Sequence, residues 1–126
     1  MYVFVYGTLK HGHGLNQVLI QGGAKFLGGG YIDGIRLYSW GICPAAFPGS
    51  PDDRAWGEIY EVDAALLGVL DRIEASYERE QRTAVIMEGS VNLSPVTAWI
   101  YVGVIAPVGG AWIKDGVFRR IYREDI

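Results

Sequence analysis

One strong helical pattern stands in mid-chain, with short apolar runs interrupted by glycine on both sides of it. That arrangement limits the folds open to this sequence. From Ala64 to Tyr77, the apolar residues Leu66, Leu70, Ile73 and Tyr77 recur at helical spacing. Asp63 stands where a carboxylate can accept an orphan backbone N–H at the helix start. "MYVFVYG", "AKFLGGGYIDGIRLYSW", "AWGEIYEV", "TAVIM" and "TAWIYVGVI" read as strands, and "VFRRIY" is a further candidate. In "AWGEIYEV", Trp56, Glu58, Tyr60 and Val62 share one face, and Gly57, Ile59 and Glu61 the other. "GLNQVLIQGG" suits a short helix with Leu15, Val18 and Leu19 on one side and Gly22–Gly23 ending it. "GICPAAFPGSPDDR" holds three of the five prolines and reads mostly as loop. Strands and helices do not alternate regularly, which disfavours a doubly wound parallel sheet. The expectation is an α+β fold: a small mixed, barrel-like β-sheet with the mid-chain helix packed across it. The 18 glycines suit the tight turns of such a fold, and Gly28–Gly30 read as turn material.

At 126 residues the chain suits a single domain, 1–126, and a hydrophobic content of 50% gives it a core to bury. No apolar run approaches the ~20 residues of a membrane span, so no membrane partner is expected. The N-terminus has neither a basic region nor a small-residue cleavage pattern, and the single cysteine, Cys43, excludes an intrachain disulfide. Together these suggest a cytoplasmic protein. A net charge of −3 argues against a general grip on nucleic acid. The basic cluster Arg119, Arg120 and Arg123 is diluted at once by Glu124 and Asp125.

Few residues carry a chemical signal. There is no G-x-x-x-x-G-K-[ST] and no G-x-G-x-x-G, so a phosphate cradle is excluded. His11 and His13 are the only histidines, too few to complete a metal site, and they read as exposed loop residues. No metal is expected. Cys43 precedes Pro44 in a loop; without a histidine base nearby in the sequence, it reads as small apolar filler. Glu74 is more informative. At about 100° per residue it stands roughly 60° from the centre of the apolar stripe, at the edge of the buried face. Partial desolvation there raises a carboxyl pKa and makes it a candidate proton shuttle. From helical position alone, a plain boundary position or an ion pair with Arg79 or Arg82 is the simpler explanation of Glu74.

Two stretches read together sharpen this. "VYGTLK" (Val5–Lys10) ends the first strand, and "LDRIE" (Leu70–Glu74) sits on the mid-chain helix. The pair resembles the γ-glutamyl cyclotransferase-like family, which includes the γ-glutamylamine cyclotransferases and AIG2-like proteins. "GLNQVL", "CPAAFPG", "WGEIYEV" and "AWIYV" fit the same family in order, so the resemblance spans nearly the whole chain. It implies that Tyr6, Gly7, Thr8 and Leu9 form a substrate-binding loop and that Glu74 is the general acid/base. It also implies that Tyr101 lines the pocket. The implied reaction closes a γ-glutamyl amine or peptide to 5-oxoproline and releases the amine, with no metal or organic cofactor. A small γ-glutamyl molecule would be the partner. The alternative is a non-catalytic module on the same fold that binds a small carboxylate. Ala75–Ser76–Tyr77 departs from the Gly-Tyr that often follows the family's glutamate. Arg79 and Arg82 compete for the arginine of its Tyr-x-Arg pattern, so the rim of the pocket stays open.

Overall fold

The first apolar run forms strand β1 (Tyr2–Val5) in the computed structural model, which describes residues 1–41, 43–104 and 108–119. Its side chains alternate as a strand's must. Phe4 points into one apolar cluster, while Val3 and Val5 point into another. Both faces of β1 are therefore buried, which explains why the run is apolar without a polar alternate.

Helix α1 (Asn16–Gln21) follows, then strands β2 (Lys25–Asp33), β3 (Ile35–Ser39), β4 (Pro44–Pro48) and β5 (Arg54–Glu61). Helix α2 (Ala64–Ile73) leads to β6 (Tyr77–Ile86), β7 (Val96–Gly103) and the short β8 (Ala111–Ile113). The strands lie in the order β1-β5-β2-β6-β7-β4-β3-β8, and β1 also pairs in parallel with β7 through Val3 and Trp99. That pairing closes β1, β5, β2, β6 and β7 into a five-strand barrel. The strands β4, β3 and β8 extend the sheet beyond β7. The fold is the expected α+β class: a mixed barrel with helices packed on its flank.

Phe4, Leu27, Ile59, Ile86 and Ile100 fill the barrel interior. Outside it, Val3, Val5, Tyr60 and Tyr101 pack against Leu19 of α1 and against Leu66, Leu67 and Leu70 of α2. The alternation in β5 holds, since Ile59 goes inward and Tyr60 goes under the helices. No helix among the described residues is long and apolar enough to cross a membrane.

Several local expectations are corrected. The helix stops at Ile73, not Tyr77. Glu74 closes its last turn, donating its amide to the Leu70 carbonyl at 2.8 Å, and Tyr77 then opens β6, where it pairs with Gly103 of β7. Pairing across the barrel outweighs the continuing helical period. Ile73, expected in the buried stripe, is 40% exposed. The proline-rich segment is loop on both sides, but a strand, β4, runs through its middle between β3 and β7. Pro44 and Pro48 occupy its ends, where a missing N–H interrupts the ladder least. Gly28–Gly30 do not form a turn. They lie within β2, where a Cβ on Gly28 or Gly30 would collide with the carbonyl of Glu88 or Val85. The actual turn is at Gly34, with φ of 80°, between β2 and β3. In "VFRRIY", residues 117–119 are not strand, and 120–122 lie outside the described residues.

Candidate active site

The chain leaves the barrel at the end of β1 and turns sharply. Each carbonyl of the turn is held by the protein. The Lys10 amide donates to the Gly7 oxygen at 3.0 Å, and the Leu15 amide donates to the Thr8 oxygen at 2.9 Å. The Asn16 side-chain amide donates to the Leu9 oxygen at 2.9 Å. Among the described residues, by contrast, the amides of Gly7, Thr8 and Leu9 donate to no protein acceptor. These three residues line a cleft of about 160 Å³, far more than the roughly 10–15 Å³ that admits one water. Successive N–H groups in a turn can converge on an anion.

The turn is fixed by what surrounds it. Gly7 has no positive φ; it is glycine because a Cβ there would lie 2.5 Å from Pro44 Cγ. Buried Asn16 also donates to the Tyr60 hydroxyl at 3.2 Å, and Tyr60 donates to Glu58 Oε1 at 3.1 Å. The same Glu58 oxygen accepts the His11 amide at 2.7 Å. Lys10 Nζ donates to the Phe118 carbonyl at 2.9 Å, and the His13 ring packs 5.8 Å from that of Phe118.

Glu74 lines the same cleft from the end of α2. Burial raises its pKa above the ordinary carboxylate value. Neither ion pair considered from the sequence forms, since Arg79 pairs with Asp71 and Arg82 with Glu80. Among the described residues, no side chain bonds the Glu74 carboxyl. Burial pushes the Tyr6 and Tyr77 hydroxyls above the usual phenol range; the Glu74 charge is the next cause for Tyr77, and for Tyr6 it adds a smaller push behind that of Tyr77. An unengaged carboxyl of raised pKa, set beside free amides, can move protons next to a bound anion.

The other expected residues fall in varied places. Tyr6 lines the cleft, but its hydroxyl is spent within the fold: it donates to the Tyr101 carbonyl at 2.7 Å and accepts the Ala46 amide at 3.1 Å. The Leu9 side chain is buried with the helices, so that residue offers the cleft its backbone. Tyr101 lines the cleft as well. Cys43 is exposed at the cleft, not core filler, because β4 begins one residue later and leaves it outside the sheet. His11 is exposed, whereas His13 is half-buried by its packing on Phe118. Sequence reasoning gave no role to Asp71 or Trp99. With Arg79, Tyr101 and Glu74 they line a second, wider cleft of about 370 Å³. The only trace of it in the sequence was the uncertain Tyr-x-Arg arginine.

The barrel with its flanking helices is also seen in solved structures. An AIG2-like protein from Mus musculus superposes with a TM-score of 0.77 at 27% identity, covering 99% of this chain and 97% of that one. The ytfP protein of Escherichia coli gives 0.66 at 32% identity, covering 94% and 96%. The family model "Gamma-glutamyl cyclotransferase, AIG2-like" matches residues 3–120, and the chain belongs to that family. The gamma-glutamylcyclotransferase family protein YtfP of Escherichia coli K12 is 40% identical over 73 residues. That match covers 58% of this chain and 61% of YtfP, less than two thirds of the relative's length. The gamma-glutamylaminecyclotransferase of Bos taurus is 31% identical over 119 residues, 83% of this chain and 67% of its own.

Proposed function

We propose that this protein cyclises a γ-glutamyl amine or peptide to 5-oxoproline, with Glu74 as general acid/base and the turn Tyr6–Leu9 as the substrate loop. One observation carries the reading: a carboxyl with raised pKa and three uncommitted backbone amides line the same cleft. The amides of Gly7, Thr8 and Leu9 would hold the α-carboxylate, with the Thr8 hydroxyl beside them.

The substrate carries its own nucleophile. Its α-nitrogen bonds to the γ-carbonyl carbon as the γ-amide C–N bond breaks. On becoming the lactam, the α-ammonium gives up two protons; the departing nitrogen gains two and leaves as an ammonium. Glu74 relays them, taking each from the first nitrogen and returning it to the second. Because nucleophile and electrophile share one molecule, holding it bent supplies much of the proximity effect. Nothing in these steps calls for a metal or an organic cofactor.

The test is incubation of the purified protein with a panel of γ-glutamyl amines and γ-glutamyl dipeptides, followed by assay of 5-oxoproline. Release from at least one class is expected. Binding of the panel without any 5-oxoproline would leave a carboxylate-binding module in place of the enzyme.

A further inference from the structure

The wider cleft adjoins the first, because Glu74, Tyr77 and Tyr101 line both. A substrate held by the turn amides and worked on by Glu74 therefore has its departing group beside the second cleft. The far side of that cleft carries Asp71, Arg79 and Trp99.

The bonding among these three decides what they can still bind. Arg79 Nη1 donates to both oxygens of Asp71, at 3.0 and 2.8 Å. The Tyr101 hydroxyl donates to Asp71 Oδ1 at 2.8 Å. The Arg79 guanidinium also lies over the Trp99 ring, 4.3 Å from its centroid. An ammonium on the far side of this cleft, away from Glu74, would look to the Asp71 carboxylate or the Trp99 face. Arg79 already occupies both. What remains is on Arg79 itself: it reaches Asp71 through Nη1 alone, the Tyr101 hydroxyl lies beside the guanidinium, and the side chain is 27% exposed. A guanidinium fixed on one side by a carboxylate and on its face by an indole presents its other N–H groups in a rigid plane. That geometry matches a second carboxylate.

We propose that this cleft is a leaving-group subsite in which Arg79 binds a carboxylate on the departing amine. Amino acids and peptides with a free C-terminus are then preferred as leaving groups over alkylamines and cationic amines. The inference rests on the cyclotransferase reading and adds the substrate class to it. Asp71 and Trp99 act as positioning residues that orient the guanidinium.

The experiment compares γ-glutamyl-alanine, its C-terminal amide and γ-glutamyl-butylamine on the same protein, scored by kcat/KM for 5-oxoproline release. The free acid should exceed the amide and the butylamine by about tenfold or more, as expected for one charge-assisted hydrogen-bonded pair. In Arg79→Gln that ratio should collapse toward unity, mainly through KM of the acid, and Arg79→Lys should restore part of it. Equal turnover of acid and amide by the parent protein overturns the subsite while leaving the cyclotransferase reading standing. No turnover of any of the three by the parent protein overturns both. The parent ratio alone decides the matter even where Arg79→Gln fails to fold.

Discussion

Glu74 is held in a place that suits protons better than it suits folding. Burial raises its pKa from 4.5, so between that value and the raised one the native state binds more protons than the unfolded chain. Stability attributable to this group is therefore full below pH 4.5 and declines as pH rises through the native pKa. Glu74→Gln removes that decline. The variant should melt above the parent at pH 7, and the difference should shrink to nothing as pH falls below 4.5, in a thermal-melt series over pH. Melting curves that stay parallel across that range would show that the carboxyl is not held out of its preferred charge state. The sequence made this residue legible because helical spacing put it at the edge of an apolar face. It did not reveal that Glu74 ends the helix, since Ile73 and Tyr77 extend the period beyond the point where strand pairing takes over. Arg79 was legible only as one of two candidates; its contact with Trp99 depends on the pairing of β6 with β7.

Among the elements, the turn after β1 depends most on borrowed support. Its three carbonyls are held by Lys10, Leu15 and Asn16, and Asn16 is the one side chain among these donors. Asn16→Ala strands the Leu9 oxygen and removes a donor to buried Tyr60. The expected loss is about 1–3 kcal/mol in chemical denaturation. The same variant should raise KM for a γ-glutamyl substrate more than it lowers kcat, because binding amides are displaced while Glu74 stays in place. A drop confined to kcat would instead connect Asn16 to the chemistry. The short helix carrying Asn16 was readable from "GLNQVLIQGG", and the Asp63 cap on α2 was read correctly, with its carboxylate accepting the Leu66 amide at 2.8 Å. The strand hidden in "PAAFP" was not readable. Two prolines in five residues favour a loop locally, and only the positions of β3 and β7 on either side make that segment a strand.

For the whole molecule, barrel closure brings the two sides of the site together. The parallel pairing of β1 with β7, and of β4 with β7, gathers chain segments from both ends and the middle beneath the cleft. One hydroxyl stitches them: Tyr6 of the loop bonds Ala46 of β4 and the Tyr101 carbonyl of β7. A barrel-like sheet was foreseeable from strand count and the missing βαβ alternation. Its closure was not, because the glycines that permit it, Gly28 and Gly30, look locally like a turn and are explained only by the carbonyls pressing on them. In the proposed reaction, this closed frame sets a proton-moving carboxyl beside a carboxylate-binding turn. The most direct measurement is single-turnover release of 5-oxoproline by the parent protein and by Glu74→Gln, with 5-oxoproline affinity measured alongside by calorimetry. The expected result is a rate loss of about 10²–10⁴ in the variant with ligand affinity within a few-fold of the parent. Turnover by Glu74→Gln at the parent rate would contradict it.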